Sequence, residues 1–404
     1  MATTLHGDRI AIPTSASNPS SPAEGHMYYN STDGTIKFYD GTIWISTNLI
    51  PIINSVGGTI YSGTQTTVTL NVSKTTDDVD IQWKEGSTLL ATTTGASVSS
   101  GSISVSVPSQ VYGQSQGDTI SATVINADGT ASNTGQWTVQ ELPTGGSINT
   151  YSGYRSHTFT SSGTFNTNGA SFSVDALIVA GGGGGGVDAA AGAGAGGAIN
   201  LTSTSLNGSY PISIGGGGAG RPGPSDHGPG NRGGATSALG YTANGGGAPQ
   251  GWNSSPTGMQ PGGSGAGQAG NAGGSNPGGI GTGTPGQGNP GGSWGGGQPG
   301  GGGGATQAGY PGSSSYGLGG NGITVNYRSG SNVKYASGGS GGVDIPGGKS
   351  KPSASNTDVP FQTAEAGQPS SGANTGHGGH GGNHNNVSGG NGGSGIVIIK
   401  YQIP

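Results

Sequence analysis

Few side chains in this sequence are equipped for chemistry, and the most suggestive group is the run HGGHGGNH, which places His377, His380 and His384 within eight residues. Imidazole is the commonest metal ligand. In an extended helix with three residues per turn, however, His377 and His380 would share an edge about 9 Å apart, given a rise of ~3.1 Å per residue. One chain would not chelate an ion through that pair, although a threefold assembly would bring copies of one histidine together. The competing reading is solvated loop histidines. Carboxylates are sparser still: residues 143–404 offer Asp175, Asp188, Asp226, Asp344, Asp358 and Glu365, with no repeated local pairing. Glycan cleavage needs two carboxylates at a defined separation, so no catalytic residue is expected. The glycine runs lack the Lys-Ser/Thr that completes a phosphate cradle. With no cysteine, disulfides, thiolate metal sites and cysteine nucleophiles are excluded. The expectation is a protein that is not an enzyme and carries no cofactor.

Aromatic residues set in glycine-rich surroundings are the better candidates: Tyr241, Trp252, Trp294, Tyr310 and Tyr316. Flat rings with polar tips give large contact area for little lost freedom, which suits a binding surface. Equally, such rings would cap a glycine body that has little apolar cover of its own. Trp252 in APQGWNSSPTG and Tyr310 in GYPGSSSYG are flanked by turn residues and read as loop tips. Charge points away from nucleic acid. Residues 1–145 hold eleven acidic against four basic residues and residues 146–404 six against eight, without the clustered Lys/Arg that such partners need. The longest apolar run, ALIVA at 176–180, is too short to span a bilayer, and MATTLHGDRIAIPTS lacks the basic-then-apolar start of a secretory signal. Neither membrane insertion nor signal-directed export is expected.

Three parts must position these residues. In residues 1–50, the pairs Asp33–Gly34 and Asp40–Gly41 separate short runs of strand formers, which predicts a meander of Met27–Asn30, Thr35–Tyr39 and Ile43–Ser46. A sheet of that size needs copies of itself or a partner to be stable. In residues 51–142, the stretches TVTLNVS, VDIQWKEG, SISVSVP and DTISATVIN alternate apolar and polar residues, as half-buried antiparallel strands do. Trp83 and the DTISATVINADGTASN ending resemble strands C, F and G of an immunoglobulin-like sandwich, with Ile120 and Ala122 where antibody domains carry a tyrosine and a cysteine. Modules of that kind serve as spacers.

Residues 143–404 hold most of the glycine, with 79 of 94 lying after residue 145. Apolar strands at Val174–Ala180, Ile212–Ile214 and Ile396–Tyr401 each abut glycine. Collagen is excluded because the threefold phase breaks. Local x-G-G spacing is nonetheless strong: His377/His380/Asn383, Ser388/Asn391/Ser394 and Ser337/Ser340/Val343. A polyproline-type helix of x-G-G has two edges free of side chains. Several can lie side by side, each N–H reaching a neighbour's C=O, so that buried backbone groups are paired. The alternative is a flexible tether. The strand at Ile396–Tyr401 argues against it, because it has nothing to pair with unless the chain folds back. The predicted fold is therefore all-β with polyglycine II-type helices and essentially no α-helix: a β-meander (1–50), an Ig-like sandwich (51–142) and a glycine-rich domain on a small β-sheet (143–404).

Two stretches resemble known proteins. PAEGHMYYNSTDGTIKFYDGTIW is similar to a segment of phage tail-fibre and other virion proteins, notably marine and cyanobacterial ones. SVDALIVAGGGGGG together with GGSGIVIIKY resembles the ends of a glycine-rich domain of such fibres, and the glycine packing resembles fibre-tip adhesins of T-even-like phages. The resemblance implies a homotrimeric virion fibre. Residues 1–50 would be mounted on other tail or capsid proteins, and the distal body would touch a host cell-surface glycan or protein. The other reading it allows is a purely structural head fibre or tail decoration without a receptor.

Overall fold

The computed structural model describes residues 12–32, 35–46, 51–73, 78–126, 129–223, 228–251, 261–270, 279–312, 317–342, 372–383 and 387–403. Nearly every element in it is a strand, and the only helix among these residues is the single turn Ser109–Tyr112. Contacts divide the chain into two units that meet in sequence between Glu141 and Leu142.

The N-terminal unit opens with a four-stranded sheet in sequence order, Thr14–Ser15, Met27–Asn30, Thr35–Tyr39 and Trp44–Ser46. The last three form the expected meander. Thr14–Ser15 adds to it in parallel. Gly41 supplies a φ of 99° at the second turn, where Asp40 Oδ1 accepts from the amides of Thr42 and Ile43 at 2.8 Å. The pair Asp33–Gly34 lies outside the described residues. Tyr28 is buried and meets Trp44 edge-on at 4.8 Å.

The second part of this unit is a sandwich. Three strands (Ile53–Gly57, Thr67–Val72, Ser102–Ser106) form one sheet. Four form the other, in the order Ala131–Thr138, Thr119–Ile125, Asp78–Glu85, Thr88–Ser97. Alternate residues of both sheets point into one core of Val68, Leu70, Ile81, Ile103, Ile120 and Trp83, as a half-buried antiparallel sheet requires. Trp83 donates its indole N–H to Thr93 Oγ1 at 3.0 Å and lies 5.8 Å from Trp137. Three strands on four, with the tryptophan at the centre of the larger sheet, is the immunoglobulin-like arrangement.

The C-terminal unit is built on a five-stranded antiparallel sheet in the order Ser147–Tyr151, Tyr154–Phe159, Ile396–Gln402, Phe172–Val179, Ala198–Leu206. The last strand of the chain is thus the middle strand, paired with Tyr154–Phe159 on one side and Phe172–Val179 on the other. Both faces are buried. Leu177, Val179, Ile396 and Ile398 pack beneath the hairpin Ile323–Val325/Val333–Tyr335, while Ala176, Ile178, Val397 and Ile399 fill the opposite face. Burial on both faces explains why these strands read as unbroken apolar runs rather than alternating ones. His157 is enclosed in this sheet. Its Nδ1 lies 2.7 Å from the Gly145 carbonyl, and its ring is 5.7 Å from Tyr401 and 5.1 Å from Phe165.

Candidate binding surface

Glycine ribs continue the strands. A strand rises about 3.3 Å per residue and a polyproline-type helix about 3.1 Å, so the chain passes from one to the other with little change of pitch. In the rib of residues 181–186, successive N–H groups point in three directions. Gly181 and Gly184 donate to Gly234 and Asn231, Gly182 and Gly185 to Gly393 and Gly390, and Gly183 to Gly194. The carbonyls do likewise. Gly182 and Gly185 accept from Gly218 and Arg221, Gly183 and Gly186 from Gly379 and Gly382, and Gly181 from Gly246. Donors repeat every third residue, and the rib has six neighbours.

Two more ribs are surrounded in the same way. Residues 192–197 donate to ribs around 300–303, 376–379 and 244–247, and accept from 264–267, 339 and 180–183. Residues 300–304 donate to 265–268, 307–310 and 339, and accept from 192–195, 289–292 and 320. The body is therefore a hexagonal array, with three interior ribs among the described residues. Its glycines are there for space, not for unusual backbone angles, because none of Gly181 to Gly186 has a positive φ. A Cβ on Gly182 would land on the His377 carbonyl oxygen, and one on Gly185 on that of His380.

The bond register also fixes the direction of each rib. Residues 181–186 leave the sheet, 192–197 run antiparallel to them and return to it, and the other ribs are oriented against these two. Among the described residues eight ribs run outward: 181–186, the rib that ends at Trp294, and six whose remote ends are Gly223, Gly251, Gly270, Gly312, Gly342 and Asn383. Each of the segments 224–227, 252–260, 271–278, 313–316, 343–371 and 384–386 starts at one of these ends. The sheet end is closed by short connections, including the hairpins Thr236–Ala238/Tyr241–Ala243 and Ile323–Val325/Val333–Tyr335. The composition of the body is thus polarised: hairpins at the sheet end, and an outer face where segments poorer in glycine than the ribs begin.

The aromatic candidates do not form one patch. Trp294 stands at the outer face, half-buried, before the turn at Gly296 and Gly297 (φ 54° and 78°). Its indole lies against Gly270, and its backbone N–H donates to Gln268 Oε1 at 3.0 Å, so it caps the end of a rib. Tyr310, expected at a loop tip, instead lies in a rib. Its N–H bonds to Leu318 and its carbonyl accepts from Gly301, while its ring is 40% exposed and its hydroxyl meets Gln307 at 2.6 Å. Tyr241 is 45% exposed but belongs to the hairpin at the opposite, sheet end. Trp252 and Tyr316 lie outside the described residues, in segments that begin at the outer face.

The solvated reading does not hold for His377, and His380 is half-buried. His377 is buried between ribs, where its Nδ1 accepts the Ser337 N–H at 2.9 Å. Burial, with Lys334 adding, lowers its pKa to about 4, so it is neutral. The ring of His380 covers Gly390. Glycine pairs between the histidines leave room for the His380 ring on the neighbouring rib, which spacing alone did not reveal. His384 lies outside the described residues, as do Asp226, Asp344, Asp358 and Glu365. Asp175 pairs with Lys400 at 3.1 Å, and Lys400 is also held over the rings of Tyr154 and Tyr327. Among the described residues no three His, Cys, Asp or Glu side chains converge as metal ligands, and no helix is long and apolar enough to cross a membrane. Sequence reasoning missed His157, whose pKa is also lowered to about 4, by burial first and by Arg155 in addition. An isolated histidine in an alternating strand carries no signal of this.

No curated protein matches the chain. A family model described as a glycine-rich domain matches residues 158–402, from the second strand of the sheet through every described rib to the strand that ends it. That match spans more than half of the sequence, and the chain belongs to the glycine-rich domain family.

Proposed function

We propose that this chain is a phage virion fibre protein whose glycine body is the host-contacting adhesin. One observation carries the reading: the outward ribs end on one face, and at six of those ends begin segments rich in Asn, Ser and Gln, two of which start or end on the aromatics Trp252 and Tyr316. A rigid array that pairs its own backbone can hold such segments side by side at no cost to its interior. Trp252, Trp294 and Tyr316 would supply ring contacts to a cell-surface glycan or protein. Residues 1–50 would mount the chain on a tail or capsid protein, the sandwich would act as spacer, and three copies would assemble around the N-terminal sheet.

The purified full chain should bind the cells that its parent particle infects and compete with infection. Replacing 252–260 by a Gly-Ser segment of equal length should weaken binding at least about tenfold, the loss expected when one aromatic anchor worth ~1.4 kcal/mol or more is removed. Folded protein that does not bind would remove the adhesin role and leave a structural virion component. Antibody against residues 1–50 would then place it on head or tail.

A further inference from the structure

Rib 306–312 lies on the flank of the body. Its carbonyls at Gln307 and Tyr310 accept from Gly304 and Gly301, Gly309 and Gly312 donate to Pro290 and Ser293, and Thr306 and Tyr310 donate to Asn321 and Leu318. These bonds tie it to three ribs and leave the other side open, where Thr306, Ala308, Tyr310 and Pro311 are exposed. A period of three puts Gln307 and Tyr310 on one edge, and their side chains meet there. Gln307 Nε2 donates to the Tyr310 hydroxyl at 2.6 Å, and Asn321 Nδ2, on the adjacent rib, donates to Gln307 Oε1 at 2.6 Å. The Tyr310 ring itself is 40% exposed. This row of side chains has hydrogen-bonding capacity left over. Among the described residues, the Tyr310 O–H, the second hydrogen of each amide nitrogen and Asn321 Oδ1 have no partner. Neither 305–312 nor 317–322 contains Lys, Arg, Asp or Glu, and Pro311 and Leu318 are their only aliphatic side chains larger than alanine. The surface therefore suits neither a charged ligand nor a wholly apolar one.

We propose that this edge is a binding site for a neutral saccharide, with one pyranose stacked on the Tyr310 ring and its hydroxyls bonded to Gln307 and Asn321. A pyranose has an apolar C–H face that an aromatic ring covers, and a rim of hydroxyls that each donate and accept, so it uses both halves of the row. The groups are held in advance. The rib is fixed by its main chain, the ring by its hydroxyl, and the Gln307 amide by bonds to Tyr310 and Asn321, so little freedom is lost on binding. One ring and a short polar row put the affinity on the order of millimolar. The site is separate from the segments that begin at the outer face and does not depend on them.

The test titrates the full chain with lactose, maltose and diacetylchitobiose, each to about 50 mM in view of the weak affinity. The readout is the side-chain amide signals of Gln307 and Asn321 and the ring signals of Tyr310. At least one sugar should give saturable shifts confined to 306–310 and 318–321. Glucitol, which has the hydroxyls but no closed ring to stack, should be inert. Tyr310→Ala should weaken binding at least about tenfold, as loss of an aromatic anchor does, and Asn321→Ala should weaken it about threefold or more, as loss of a hydrogen bond does. Both variants should melt like the parent, because neither side chain enters the interior. No saturable shift with any of the three sugars, an equal response to glucitol, or a response that survives Tyr310→Ala overturns the proposal. Shifts at Trp294 with Tyr310 unmoved would put the saccharide at the outer face instead, and also overturn it. The assay needs no cells, so its failure would leave the adhesin reading to be tested on its own.

Discussion

The sandwich and the glycine body solve the same problem with opposite materials. In the sandwich, Val68, Leu70, Ile81, Trp83, Ile103 and Ile120 are wholly buried, and stability comes from apolar side chains leaving water. In the body, the interior ribs 181–186, 192–197 and 300–304 bury little except main chain. Each hydrogen bond there is worth only about 0.5–1.5 kcal/mol net, and ordering glycine is the most expensive ordering of any residue. What compensates is number and density, because each interior rib is bonded on six sides. A side-chain core can redistribute volume among rotamers when a methyl is gained or lost. A main-chain core has no rotamers to adjust, so its tolerance for added atoms should be close to nil.

The largest effect should therefore come from the smallest side chain. Gly182→Ala and Gly185→Ala each drive a Cβ into a neighbouring carbonyl group, and the C-terminal unit should lose about 5 kcal/mol or fail to fold, beyond the usual range for overpacking. Calorimetry of the full chain should show its transition lost while that of the N-terminal unit stays. Trp83→Ala is the mirror experiment. It removes the largest buried side chain of the sandwich, should cost about 3–5 kcal/mol, and should lower the other transition alone. If Gly182→Ala melts like the parent protein, the comparison between the two kinds of core collapses.

Acid should separate the units next. His157 and His377 are neutral in the folded C-terminal unit, with pKa values near 4, against about 6.5 in an unfolded chain. Between these values the unfolded state binds more protons, so stability is constant above pH 6.5 and falls as the pH drops toward 4. The slope is up to about 1.4 kcal/mol per pH unit for each histidine. Residues 51–141 contain no histidine, so the sandwich should hold its melting temperature over this window. A His377→Gln variant should roughly halve the slope of the C-terminal transition, and an unchanged slope would mean that His377 is not the neutral, buried group described.

How much of this was legible depends on how local the cause is. The middle strand Ile396–Gln402 and the x-G-G ribs could be read because apolar runs and three-residue periods are local patterns. The identity of the interior ribs could not. Rib 192–197 carries Ala193 and Ala195 at a period of two, and it lies inside because its neighbours around 264, 303, 339 and 379 close over it, which no short window contains. The burial of His377 depends on Ser337 and that of His157 on Tyr401, both far along the chain. Tyr241 and Trp294 share a sequence setting yet stand at opposite ends of the body. Only the direction of each rib decides that, and direction comes from the bond register.

The smallest effect sharpens the contrast most. Gly215, Gly217 and Gly218 abut the carbonyls of Gly234, Gly392 and Asn231, whereas a Cβ on Gly216 would meet nothing within 4 Å, and its φ is not positive. Gly216→Ala should then act through the unfolded chain, which loses freedom, and stabilise the C-terminal unit by about 0.4–1 kcal/mol. Gly217→Ala, one residue away, should destabilise it by about 3 kcal/mol or more, as an overpacked site does. A pair of adjacent glycines with opposite signs in the same calorimetric assay would show that these residues are selected by the space beside them and not by backbone flexibility. Equal losses at both positions would mean that the rib needs glycine for its own conformation, and the packing account of the body would fall.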